Sequence, residues 1–160
     1  MKKITIKTEL DVYNDFSELP EPVQELMKAA FEARELAYAP YSQFHVGASI
    51  LLDSGEIIRG NNQENAAYPS GLCAERTAIY YAGANFPDAK IKMIAISAKA
   101  NAKETLDPIP PCGACRQAIA EYEVKQQQSI EIYFMGDRGK IFKSNSLQNL
   151  LPLLFTQDYL

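Results

Sequence analysis

The sequence predicts an α/β fold, a three-layer α/β/α sandwich in which helices cover both faces of a mixed sheet of about five strands. Three observations carry that expectation. Short apolar runs alternate along the chain with segments of helical periodicity, the pattern of layered α/β architecture. Two of those runs lead into tight-turn signals, Asp53-Ser54-Gly55 and Gly136-Asp137-Arg138-Gly139, which mark hairpins. The chain has 160 residues, 47% of them apolar, enough for one buried core without disulfide staples.

The elements follow in order. Residues 1–19 read as an N-terminal extension, with Ile4 and Ile6 alternating with polar neighbours as in a short edge strand. From Pro22 to Ala39, Val23, Leu26, Met27, Ala30, Phe31, Arg34 and Leu36 recur at intervals of three and four, an amphipathic helix that Pro40 closes. Val46 to Leu52 and Glu56 to Arg59 form the first hairpin. Cys73 to Ala84 is alanine-rich with helical spacing, and Ile91 to Ser97 reads as a buried strand. The polar loop that follows ends in Pro108-Ile109-Pro110-Pro111, and a second cysteine-bearing helix runs from about Cys112 to Val124. Ile130 to Met135 and Lys140 to Phe142 give a second hairpin, and Ser146 to Leu151 a small closing helix. No repeat or linker divides the chain, so residues 20–160 read as a single domain.

Composition narrows the function classes. Sixteen basic residues stand against twenty acidic ones, a net charge of −4, and the basic residues are scattered. A polyanion needs a basic stripe, so a nucleic acid polymer is not the expected partner, and a small uncharged molecule fits better. The charged start Met1-Lys2-Lys3-Ile4-Thr5-Ile6-Lys7 is followed by no apolar stretch of signal-peptide type, and nothing approaches a membrane span. Three cysteines are an odd number for a disulfide framework, and the expected compartment is the cytoplasm, where thiols stay reduced.

Those cysteines carry the chemistry. Cys73-Ala74-Glu75-Arg76 and Pro111-Cys112-Gly113-Ala114-Cys115-Arg116 place all three at predicted helix starts, where the helix dipole favours thiolate. Three thiolates can hold one Zn²⁺ and leave a fourth position for water, the mark of catalytic sites as opposed to closed structural ones. Glu75, two residues after Cys73, supplies the carboxylate that metal-assisted hydrolysis requires. Three thiolates also outweigh the charge of the ion, and Arg76 and Arg116 are placed to offset the excess by hydrogen-bonding the sulfurs. Other readings stand beside this one. Cys112-x-x-Cys115 alone suits a redox pair or half of a structural zinc knuckle, and a closed Cys₃His site would recruit His45, the only histidine. A redox pair gives no task to a distant third cysteine followed by Ala-Glu-Arg.

The motifs Cys73-Ala74-Glu75 and Pro111-Cys112-Gly113-Ala114-Cys115 resemble the zinc signature of the cytidine deaminase superfamily, a signature in which a glutamate that is not a ligand moves the protons. Pro40 through Ala48, Gly60 through Ala66, Cys73 through Ile79, Cys112 through Gln117 and Leu150 through Phe155 extend the likeness, in order, over about Pro22 to Phe155, and point to the small homotetrameric type. The resemblance implies zinc-dependent hydrolytic deamination of cytidine and 2′-deoxycytidine to uridine and 2′-deoxyuridine, a step of pyrimidine salvage, with one zinc per chain. Position by position it implies Cys73, Cys112 and Cys115 as ligands and Glu75 as the proton-shuttling catalytic residue. Asn62 and Glu64 would bind the ribose 3′-hydroxyl, Phe44 would pack on the pyrimidine, and the Ala74 N–H would meet the base carbonyl. Tyr41, Tyr68 and Phe155 would complete the pocket, some from neighbouring subunits. Asn61 and Gln63 depart from the residue types usual beside that asparagine.

Overall fold

The computed structural model describes residues 1–160 and arranges them about one six-stranded sheet. In chain order the elements are β1 (Asp11–Tyr13), α1 (Glu21–Glu35), β2 (Phe44–Leu52), β3 (Ile57–Asn61), α2 (Ala74–Asn85), β4 (Ile91–Ala100), α3 (Gly113–Gln126), β5 (Glu131–Met135) and β6 (Ile141–Ser144), with short 3-10 turns at Phe16–Glu18, Tyr68–Ser70, Leu147–Asn149 and Gln157–Tyr159. The sheet order is β1-β6-β5-β4-β2-β3. Only β4 and β5 run parallel, joined through α3, and every other neighbouring pair is antiparallel. No helix is long and apolar enough to cross a membrane.

Strand alternation assigns the layers. Ile94 and Ile96 of β4 join Ala74, Ala78, Ile79 and Ala82 of α2 and Ile119 and Ala120 of α3. Between them, Ala95 turns to the opposite face and meets Val23, Leu26, Met27 and Ala30 of α1. The expected α/β/α sandwich is therefore present, with one strand more than expected. The additional strand is β1, which pairs Val12 with Phe142 on the outer edge of β6. It is not the Ile4–Ile6 alternation, which lies outside regular structure with both isoleucines exposed. Leu10 and Tyr13 can pack against the two cores, whereas Ile4 and Ile6 have no core within reach, so burial and not alternation decides where the strand forms.

Other boundaries shift for similar reasons. The first helix stops at Glu35, four residues short of the expected end, because the chain is drawn off to bridge the segment after β3. Tyr38 N donates to Asn62 O at 3.0 Å and Glu64 N to Tyr38 O at 2.9 Å. The closing helix reduces to one 3-10 turn in which Leu147 N donates to Glu123 Oε1 at 2.9 Å and Gln148 N to the Ser146 hydroxyl at 3.1 Å. Arg34, expected within the amphipathic pattern, is buried under the sheet. Its Nη1 donates to Ser97 Oγ and its Nη2 to Asp137 Oδ1, each at 2.8 Å, tying the end of α1 to the β5–β6 turn.

Two glycines let the helices approach the hairpin of β2 and β3 from opposite faces. A Cβ on Gly47 would stand 2.0 Å from Ala30 O in α1, and one on Gly60 would stand 2.6 Å from both Ala74 O and Ala78 N in α2. The atoms in the way are backbone, so the space cannot open without moving a helix. The close approach at Gly60 therefore sets where α2 begins, and with it Cys73. In an unobstructed strand, Gly→Ala would stabilise. Here Gly60→Ala is expected to lower the unfolding free energy by about 2–3 kcal/mol or more, read as an earlier urea midpoint, through displacement of α2.

Candidate active site

Cys73 is the N-cap residue of α2 and Cys112 that of α3, and Cys115 lies buried in the first turn of α3. The three Sγ atoms lie within 4.8 Å of one another, with Cys73 and Cys112 3.8 Å apart and Cys112 and Cys115 3.5 Å apart. Sulfurs bound to one tetrahedral zinc at about 2.3 Å stand about 3.8 Å from each other. The donor set thus fits zinc in number, softness and spacing. His45 does not belong to this cluster. It sits on β2 opposite Lys99, its Nε2 buried and unpartnered, so the closed Cys₃His alternative falls away.

The electrostatics follow from what surrounds the sulfurs. The Cys73 thiol is pulled down to about 5, chiefly by a hydrogen bond from the Cys115 thiol and further by Arg76 and Cys112, against the opposing effect of burial. Cys115 moves the other way, since it is the donor to Cys73 and is itself buried. Arg76 Nη2 reaches Cys73 Sγ at 3.6 Å, while its Nε is buried without a partner. The Glu75 carboxyl is 5% exposed, and burial pushes it up to about 7, reinforced by the negative charge on Cys73. Arg116 differs from expectation. It does not approach the sulfurs, and instead donates Nε to Pro111 O at 2.8 Å and Nη1 to Leu150 O at 2.7 Å, pinning the segment after β6 to the start of α3.

A cavity of about 480 Å³ opens beside the sulfurs, and Tyr41, Asn62, Glu64, Tyr68, Cys73 and Arg76 line it. Tyr41 and Tyr68 meet edge to face with ring centroids 6.1 Å apart. Asn62 Oδ1 accepts from Val46 N at 2.8 Å and its Nδ2 donates to Phe44 O at 2.9 Å, so this amide is held against the strand that begins at Phe44. Ala74 opens α2, and an N–H in that first turn has no acceptor within the helix. Phe155 is not gathered in. It is 58% exposed and stacks on Tyr159 at 5.7 Å, while Gln117 Nε2 holds its carbonyl at 2.9 Å. A cleft of about 210 Å³ between Phe86, Tyr122 and Gln126 contains none of the predicted residues.

Ser42 is the residue that the sequence reading passes over. Its hydroxyl donates to Glu64 Oε1 and accepts from Phe44 N at 3.1 Å. A serine two positions before another backbone N–H is the spacing of a serine turn, and that was the available signal.

Residues 20–130 match the family of the cytidine and deoxycytidylate deaminase zinc-binding region. The chain is 42% identical over 135 residues to a cytidine deaminase of Halalkalibacterium halodurans, covering 84% of this chain and 95% of the relative. It is 39% identical over 136 residues to a cytidine deaminase of Sporosarcina psychrophila, covering 85% and 93%. Among solved structures, a cytidine deaminase from Burkholderia pseudomallei superposes with a TM-score of 0.70 at 37% identity, over 82% of this chain and 97% of that one.

Since three sulfurs make up the whole donor set, no substitute stands nearby. Replacing any one of Cys73, Cys112 or Cys115 by alanine is expected to lower bound zinc from one per chain to below about a tenth, measured by metal analysis of the purified protein.

Proposed function

The chain belongs to the cytidine and deoxycytidylate deaminase family, and from that premise we infer that it is an enzyme hydrolysing cytidine, and 2′-deoxycytidine in the same site, to uridine or 2′-deoxyuridine and ammonia. The observation that carries this reading is a buried carboxylate, Glu75, two residues from Cys73, which belongs to a three-thiol cluster and itself lines a cavity of about 480 Å³. Cys73, Cys112 and Cys115 would hold the zinc, which would supply a Lewis acid able to make water acidic enough to ionise near neutral pH.

The residues of the chain do the rest. Glu75 takes up the proton that water loses, and its burial brings its affinity for a proton close to neutrality, where a group can both accept and return one. The oxygen adds to C4 of the base while Glu75 protonates N3, giving a tetrahedral carbon. Glu75 next takes the proton of the new C4 hydroxyl and passes it to the departing amine, so that C4 becomes a carbonyl and ammonia leaves. The Ala74 N–H donates to the base carbonyl, an acceptor it lacks within the helix. Phe44 offers a ring face to the pyrimidine. Asn62 keeps one Nδ2 hydrogen beyond its bond to Phe44 O, and Glu64 keeps acceptor capacity. A hydroxyl is one donor and an acceptor, so the 3′-hydroxyl can satisfy both at once. Arg76, against the Cys73 sulfur, draws off part of the negative charge of three thiolates and so preserves the acidity of the water.

Tyr41, Tyr68 and Phe155 are half exposed or more in the single chain. A homotetramer would cover them and bring Phe155 toward a neighbouring cavity, and a solution mass of four chains by light scattering is the expected result. The reduced thiols suit the cytoplasm. Residues 20–160 form the catalytic domain in this reading, with residues 1–19 as an extension that adds the outer strand.

The direct test is the fall in ultraviolet absorbance of cytidine with zinc-loaded protein. Glu75→Gln is expected to keep its zinc and lose kcat by a factor of about 10²–10⁴, since it removes the proton carrier and no ligand. A variant that deaminates at the wild-type rate would refute this role.

A further inference from the structure

Ser42 lines the cavity and hydrogen-bonds both Glu64 and Phe44. Its hydroxyl donates to Glu64 Oε1, and the same oxygen accepts from Phe44 N at 3.1 Å. The second carboxylate oxygen, Glu64 Oε2, accepts from Tyr41 N at 2.9 Å and Ser42 N at 3.2 Å. Three donors from one turn thus hold a single carboxylate, which they keep below the usual range for a glutamate, the Ser42 hydroxyl most of all. A charged acceptor makes the stronger hydrogen bond, so the grip is firm at neutral pH.

The turn itself has little freedom. Gln43 sits in the left-handed region at φ 54°, which a non-glycine residue keeps only where its surroundings fix it. Asn101 does so from the far end of β4, its N donating to Gln43 O at 3.0 Å and its Nδ2 to Gln43 Oε1 at 2.8 Å. On the other side, Asn62 clamps Phe44 O and Val46 N. Ser42 is the polar link between this rigid turn and the carboxylate that lines the cavity.

We propose that Ser42 is a positioning residue for sugar recognition, fixing the Glu64 carboxylate so that Oε1 presents its remaining lone pair to the 3′-hydroxyl, and linking that contact to the placement of Phe44. The proposal rests on the reading of Asn62 and Glu64 as the sugar-binding pair. Without the Ser42 hydroxyl, Oε1 loses its anchor and the carboxylate can turn away from the hydroxyl. Chemistry at C4 is carried by Glu75 and the sulfurs, none of which Ser42 touches, so the loss falls on binding.

The test compares wild type, Ser42→Ala and Ser42→Thr, all zinc-loaded, on cytidine and on 2′,3′-dideoxycytidine, which lacks the 3′-hydroxyl. Ser42→Ala is expected to raise KM for cytidine about tenfold while kcat changes less than about threefold. Its KM for dideoxycytidine should stay near the wild-type value, because the contact is already absent, and Ser42→Thr should restore discrimination between the two. KM does not depend on the active fraction, so partial misfolding cannot imitate this result. Equal losses on both substrates, or undiminished discrimination in Ser42→Ala, would overturn the role of Ser42 alone. A wild-type enzyme that treats the two substrates alike would overturn the sugar-binding reading and this proposal with it.

Discussion

Three sulfurs can share one ion only if two helices begin side by side, and the sheet enforces that arrangement. The helix α2 is pressed onto β3 at Gly60 until its backbone lies within 2.6 Å of where a Cβ would be, while α3 crosses between the parallel strands β4 and β5 on the same face. Both helices then start at the same end of the sheet, and each carries a cysteine at its N-cap. Neither cap makes the side-chain hydrogen bond that a serine or aspartate would make there. The helix starts are left with open N–H groups and a partial positive charge. That loss of capping is what makes the positions suited to thiolate.

The same geometry brings negative charge together, and the rest of the site answers it. Cys73 favours the thiolate at the start of α2, and burial, reinforced by that negative charge, drives Glu75 two residues on toward holding a proton. Arg76 is the guanidinium that reaches a sulfur. Arg116, next to Cys115 in sequence, is turned to two carbonyls and serves to pin Leu150. Adjacency in sequence is therefore a poor guide on a helix, where residues i and i+3 share a face and residues i and i+1 do not. Cys73 and Arg76 are three apart and meet, whereas Arg116, one after Cys115 and four after Cys112, is drawn off by the carbonyls of Pro111 and Leu150.

This distinction also marks what was legible in the sequence. The three cysteines, Glu75 and the order of helices and strands could be read because each signal is local, in spacing, alternation or a turn. The sixth strand was misplaced onto Ile4 and Ile6, because alternation does not reveal which segment can reach a core. Phe155 was drawn into the cavity by resemblance, yet in one chain it stacks on Tyr159. The link between Ser42 and Glu64 went unread because it joins residues 22 positions apart through a turn whose left-handed Gln43 carries no sequence signal.

Charge within the cavity also bears on which member of the substrate family fits. A nucleotide would bring a phosphate, which needs unengaged cationic or N–H donors. The one basic side chain lining the cavity is Arg76, and its guanidinium is directed at the Cys73 sulfur. Glu64 faces the same space as an anion, its carboxyl held below the usual range by Ser42 and the turn amides. A phosphate there would meet a carboxylate and thiolate charge with no free basic side chain to balance it. In the proposed reading a neutral sugar would meet instead one hydrogen of Asn62 and one lone pair of Glu64. On the proposed function these charges would favour the nucleoside over its phosphate.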